Sequence, residues 1–157
     1  MPNLVTSSAP TRIDFGGSTL DLTPLVPLFP ENIVTNLALS LRAVVRCSFK
    51  EQGITIRDVG HGQAIECDGI ESLAANSKFI LFSEALKTLG INDGIEIEYE
   101  TGSPYGAGLG GSSALLVALL QGLHILKCGS ALDDLDLVEK AAVIERGIIG
   151  GPTGKQD

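Results

Sequence analysis

The amino-acid sequence predicts an α/β (α+β) domain, an antiparallel or mixed sheet with helices packed on it, and three observations carry that prediction. Short runs rich in β-branched residues fill the first third, a strictly alternating run Ile95-Glu96-Ile97-Glu98-Tyr99-Glu100 follows, and two helical segments occupy 112–127 and 133–146. Length agrees, since 157 residues suit one domain with its own core and are too few for two. Hydrophobic residues make up 44%, with nineteen glycines and seven prolines, the balance of a globular protein with several tight turns.

Taken in order, residues 10–15, 33–41 and 43–49 read as strands, and 54–58 with 63–66 reads as a hairpin about Gly60-His61-Gly62. This opening region is expected to form an antiparallel sheet. Between 77 and 89, Phe79, Ile80, Phe82, Ala85, Leu86 and Leu89 recur at helical spacing, and Gly90 supplies the stop. In the alternating run, a period of two puts Ile95, Ile97 and Tyr99 on the core face. Residues 112–127 are apolar on all sides, which predicts a helix buried within the domain. The helix at 133–146 is amphipathic through Leu135, Val138, Ala142 and Ile144/Glu145. Residues 147–157 form a Gly/Pro-rich loop that reads as an entry to further structure, so the polypeptide is expected to be cut short there.

Charge and composition narrow the function classes. Eleven basic residues stand against nineteen acidic ones, net −8, without a basic run. Nucleic acid is therefore not expected as a partner, because neutralising phosphates needs a basic face. The longest apolar stretches, such as 114–120, fall short of the ~20 residues that span a bilayer. Residues 1–12 lack the charged-then-apolar pattern of a secretory leader. A cytoplasmic protein without a membrane partner is expected. Cys47, Cys67 and Cys128 are odd in number and widely spaced, which reads as free thiols in a reducing compartment. His61 and His124 stand isolated in the sequence, His124 on a helix surface.

The constellation that carries chemistry is Ser103-Pro104-Tyr105-Gly106-Ala107-Gly108-Leu109-Gly110-Gly111-Ser112-Ser113-Ala114, running from a strand into the buried helix. Glycines let backbone N–H groups curl round an anion, and the helix N-terminus adds roughly +0.5 elementary charge. A hydroxyl at Ser112 or Ser113 can cap the helix or reach a phosphate or its Mg²⁺. These residues together read as a phosphate cradle.

Other readings of the glycines fit less well. Gly106-x-Gly108-x-x-Gly111, with Asp133 22 residues on, matches a dinucleotide fingerprint. The strand before it alternates instead of being continuously apolar, and the motif is not in a first βαβ unit. A Walker A loop at Gly154-Lys155 fails twice, with Ile149 in place of the first glycine and Gln156 in place of the hydroxyl residue. A purely structural turn would not need so many glycines, each of which loses extra entropy on folding.

The segment from Pro104 to Ala114 resembles the phosphate-binding motif of GHMP kinases: proline, then Gly-Leu-Gly, then serines and alanine. Two further segments, in order, resemble the sugar-kinase branch: Ala9-Pro10-Thr11-Arg12-Ile13-Asp14-Phe15-Gly16-Gly17-Ser18-Thr19-Leu20-Asp21-Leu22 and Gly154-Lys155-Gln156-Asp157. They are similar to heptose-7-phosphate kinases, fucose-type kinases and, more distantly, galactokinases. The resemblance implies a ribosomal protein S5 domain 2-like N-terminal domain over 1–157, with the family's C-terminal domain absent. It implies ATP as donor, its triphosphate held by Pro104, Gly106, Ala107, Gly108, Leu109, Gly110, Gly111, Ser112 and Ser113, with Mg²⁺ on Ser112 or Ser113. It further implies Asp157 as catalytic base, Arg12 beside it, Lys155 assisting, and a sugar held by Asp21 with Gly17 and Thr19. Leu20 stands where heptose kinases carry threonine, so the resemblance does not name the sugar.

The chemistry of these groups suits that reading. Phosphoryl transfer is mostly positioning and charge stabilisation, with a carboxylate orienting the attacking hydroxyl. An ATP- and Mg²⁺-dependent sugar or sugar-phosphate kinase is expected, inactive as the isolated fragment. The alternatives are a catalytically silent sugar- and nucleotide-binding regulator and a kinase for a non-sugar alcohol such as mevalonate. The oligomeric state is not legible.

Overall fold

The computed structural model describes residues 3–22, 25–29 and 31–150, without the side chain of Thr19. Five strands, β1 (Leu4–Gly16), β2 (Thr35–Phe49), β3 (Ile54–Asp58), β4 (Gln63–Cys67) and β5 (Ile95–Thr101), form one sheet in the order β1-β2-β5-β3-β4. All neighbours run antiparallel except β3 and β5, which are parallel. A parallel pair needs a crossover. Here it comprises β4 and the helices α1 (Ile70–Ala74) and α2 (Ile80–Thr88). Helices α3 (Gly111–Cys128) and α4 (Asp134–Ile149) complete the α/β fold.

The alternation in β5 behaves as its period requires. Ile95 and Ile97 are fully buried, while Glu96, Glu98 and Glu100 share the opposite face. β5 is nevertheless the central strand of the sheet, between β2 and β3. Residues 33–41 and 43–49, expected as separate strands, form a single strand from Thr35 onward. Arg42 carries the ladder through: it pairs with Pro10, its carbonyl accepts from Gly102 N, and its guanidinium donates to Ser8 Oγ and O. Only Ala43–Phe49 of β2 also pair with β5, so the first half of β2 is largely exposed.

A register shift interrupts the β1–β2 ladder between Pro10 and Arg12. Buried Thr11 sits at the shift and donates its hydroxyl to Leu41 O at 2.9 Å. The irregularity leaves Arg12 N free of the ladder, and it donates instead to Leu109 O at 3.0 Å.

α3 is the core helix. Leu116, Leu119, Leu120, Leu123 and Leu126 are fully buried, and the helix packs on β1, β2 and α4. By length and composition alone α3 could cross a membrane, a match the short apolar stretches of the sequence did not suggest. Its apolar surface is spent inside the fold, where 56% of the helix is buried. Gly122 lets it approach the sheet, because a Cβ there would lie 2.5 Å from Ser7 Oγ.

α2 starts one 3-10 turn (Ser77–Phe79) later than expected and ends as expected, with Gly90 N donating to Lys87 O and Ile91 N to Leu86 O. α1, at five residues, is too short for periodicity to reveal. In α4 the buried face is rotated from the expected one. Leu137, Ala141, Ala142 and Ile144 point inward, whereas Leu135 is 77% exposed and Val138 is exposed as well. Leu137, Ala141, Ile144 and Ile148 make one stripe at helical spacing, and α2 and α3 pack against it. Cys47, Cys67 and Cys128 are all free, and burial pushes the Cys47 thiol up to about 12.

Candidate active site

The glycine-rich loop begins where β5 ends. Gly102 N is tied to Arg42 O, Ser103 is buried, and Ala107 N closes a turn on Pro104 O. Gly106, Gly108 and Gly110 have φ of 74°, 70° and 66°, a left-handed conformation that side chains disfavour. Gly110 is the N-cap of α3 and brings no side chain to compete for the first-turn N–H groups. Those groups and the helix dipole face the space an anion would take.

Gly111 is required by contact. A Cβ there would meet Ser103 Oγ at 2.5 Å. Gly111→Ala is expected to cost about 1–3 kcal/mol by overpacking, more than the ~1 kcal/mol alanine gains over glycine in a helix. Ser103→Ala removes the obstructing oxygen and leaves Ser103 Cβ at 3.8 Å. In that background the same exchange should be neutral or stabilising. Denaturant titration of the single and double variants checks this, and equal costs in both backgrounds would remove Ser103 as the reason for the glycine.

Arg12 straps the loop to the sheet. Besides its backbone bond to Leu109, its Nη1 donates to Gly108 O at 2.9 Å, and its guanidinium lies beside Gly110. At the other side, Ser113 Oγ donates to Glu145 Oε1 across the α3–α4 contact. Ser113 is buried and Ser112 exposed, so the two hydroxyls have different surroundings. β1 and the loop with the start of α3 thus converge on one cavity of about 500 Å³, which Arg12 and residues 105–113 line, while Glu145 of α4 reaches it only through its bond to Ser113.

The cavity continues to Phe82, Tyr99, Asp58 and His61. His61 is not isolated: its Nδ1 lies 2.9 Å from Asp58 Oδ2, and its backbone N–H donates to Asp58 Oδ1 at 3.1 Å. Burial pushes the Asp58 carboxyl up, but hydrogen bonds from the His61 ring, the His61 backbone and the Tyr99 hydroxyl outweigh it and hold the carboxyl below its ordinary value. Burial, and then the Asp58 charge and hydrogen bond, push the Tyr99 hydroxyl up to about 12.

Of the residues singled out in the sequence, Arg12 and 106–113 meet at this cavity, and Pro104 supports the turn beneath it. Asp21 ends a 3-10 turn (Ser18–Asp21) and is not among the cavity's lining residues. Gly17 caps that turn at φ 91°, where a Cβ would collide with Ile33 O. Thr19 lies in the same turn. Lys155 and Asp157 fall outside the described residues. Glu145, Asp58 and His61 were not read as site residues. The only sequence signal for Glu145 was a carboxylate next to the inward face of α4.

Comparison with known proteins bears on the family and the fold. The model of the GHMP kinases N-terminal domain matches residues 77–157. No curated protein sequence matches the chain. Among solved structures, a D-glycero-D-manno-heptose 1-phosphate kinase from Bacteriodes thetaiotaomicron superposes with a TM-score of 0.83 at 23% identity, over 98% of this chain and 51% of that one. The mevalonate kinase of Methanococcus jannaschii gives 0.76 at 13% identity, over 97% and 49%. The galactokinase of Lactococcus lactis, solved with galactose, gives 0.74 at 21% identity, over 98% and 40%. The chain spans about half the length of these structures or less, and at such identities they show a shared fold. The family match takes in more than half of the chain, and with the glycine loop and its fold in place this chain belongs to the GHMP kinases.

Proposed function

We propose that this chain supplies the ATP-binding part of a kinase that transfers the γ-phosphate to a hydroxyl of a sugar or sugar phosphate. GHMP kinases use ATP as phosphoryl donor. The observation that carries the proposal is the left-handed glycine loop, strapped down by Arg12, that opens on the uncapped start of α3. Backbone N–H groups and the helix dipole there suit a triphosphate, and Arg12 adds a fixed cation at its edge. A sugar acceptor is favoured by the heptose 1-phosphate kinase and galactokinase neighbours and by the segment from Arg12 to Asp21.

The neighbouring Ser113 hydroxyl and Glu145 carboxylate fit Mg²⁺, a hard cation commonly held by one or two protein oxygens together with substrate phosphates. Held by these two side chains, the ion would supply positive charge to offset that of the phosphates during transfer. Ser112, exposed on the same turn, is the second hydroxyl candidate. The roles of Asp157 as base, Lys155 as its assistant and Asp21, Gly17 and Thr19 as sugar contacts rest on the resemblance of their segments. The mevalonate kinase neighbour keeps a non-sugar alcohol as the second reading.

The test is ADP release with Mg-ATP and a panel of hexoses, deoxyhexoses, heptose phosphates and mevalonate. Because the solved neighbours are about twice as long, the assay uses the longest polypeptide that carries this sequence. Sugar-dependent release, lost in Asp157→Asn, is the expected result. Release with mevalonate alone would overturn the sugar assignment, and nucleotide binding without release would favour a regulator. Residues 1–157 alone are expected to bind nucleotide without turnover.

A further inference from the structure

Five polar residues are buried among the described residues, and four of them hold a partner. Thr11 donates to Leu41 O, Ser83 to Ile80 O and Ser113 to Glu145, and Thr55 accepts from Lys50 Nζ. The fifth is Ser103, 7% exposed, whose hydroxyl makes no hydrogen bond within the described residues. A buried hydroxyl without a partner is uncommon, because it gives up water and gains nothing in return. Ser103 lines the cavity, so its open side faces the space that the glycine loop encloses.

The place of that hydroxyl is narrowly defined. A Cβ on Gly111 would lie 2.5 Å from Ser103 Oγ, so the oxygen stands where a side chain of the first residue of α3 would begin. The first bond of the helix runs from Ala114 N to Gly110 O, which leaves the N–H groups of Gly111, Ser112 and Ser113 without helical partners. No side chain of the N-cap covers them, since the N-cap is Gly110. Ser103 thus brings a hydroxyl donor to a cluster of backbone donors. An unpartnered buried hydroxyl and a glycine in the first turn each destabilise the empty fold. A ligand oxygen at the start of α3 accounts for both.

We propose that Ser103 is a phosphate-binding residue, whose hydroxyl, delivered from just beyond the end of β5, donates to the phosphate oxygen that the first turn of α3 holds. This rests on the reading of the glycine loop as the triphosphate site, and adds to it a residue that precedes the segment from Pro104 to Ala114. Arg12 supplies charge at the edge of the loop. Ser103 is uncharged and supplies direction, because a hydroxyl fixed by burial can point its one proton only into the cavity.

The test is Ser103→Ala in the longest polypeptide that carries this sequence, read by calorimetric binding of tripolyphosphate and of Mg-ATP and by the denaturation midpoint without ligand. Both ligands are expected to bind about tenfold more weakly, the scale of a lost hydrogen bond to a charged acceptor. The midpoint should hold or rise, because an unsatisfied hydroxyl has been removed. Ser103→Cys keeps the shape with a poorer donor and should weaken both ligands in the same direction. A lower midpoint in Ser103→Ala would make the hydroxyl a structural group, and native affinity for tripolyphosphate in both variants would leave it without a contact to the ligand. Either result overturns this inference and leaves the glycine loop as the phosphate site. Failure of the unsubstituted protein to bind tripolyphosphate and Mg-ATP would overturn that reading and this inference together.

Discussion

Glu145→Gln is expected to lower ADP release by about 100-fold or more in the polypeptide that turns over, the scale of losing a group that stabilises charge in the transition state. Glutamine keeps the shape and can still accept from Ser113 Oγ, so the fold should survive while the negative charge is lost. Ser113→Ala removes the other half of the pair. If the two oxygens act as one unit, the double variant should lose little more than either single variant. The distinguishing measurement is the Mg²⁺ dependence of turnover. A shift of the half-saturating Mg²⁺ to higher concentration supports a shared cation, and unchanged turnover and Mg²⁺ dependence in both variants would sink it.

Leu119→Ala should destabilise the fold by about 2–5 kcal/mol, the range for removing a fully buried leucine side chain and leaving a cavity. Leu119 has no exposed surface and lies in the part of α3 packed on the sheet. The loss exceeds that from removing a helix cap because the missing methyl groups take contacts from neighbours on several elements. Leu135→Ala is the paired control: same exchange, on a helix, at a residue 77% exposed. Its effect should stay within about 0.5 kcal/mol. Equal changes in denaturation midpoint for the two variants would contradict α3 as the core helix.

The glycine loop, the buried helix after it and the alternating β5 were legible in the sequence because each depends on local physics. Left-handed φ values at Gly106, Gly108 and Gly110 depend on the lack of a Cβ at each residue, and the inward Ile95 and Ile97 follow from the two-residue period of a strand. Of the family motifs, the one from Pro104 to Ala114 lies in this same stretch. On α4 the expected face held at Ala142 and Ile144 but not at Leu135 and Val138, which also recur at near-helical spacing; only packing against α2 and α3 selects Leu137 and Ala141 in their place.

The convergence of the site was decided at long range. Arg12 meets Gly108 across a separation of 96 residues and Ser113 meets Glu145 across 32. The first depends on the register shift at Thr11, which turns Arg12 N from the ladder to Leu109, and the second on how α4 lies against α3. The Asp58–His61 contact, by contrast, is local, three residues apart within the hairpin turn, whereas Tyr99 reaches that carboxylate only because β5 runs beside β3. By itself the sequence determined where the glycine loop lies and that the helix after it would be buried. The tertiary structure alone decided which charged side chains share the cavity, because side-chain chemistry acts over a few ångströms and the chain distances between these partners carry no such information.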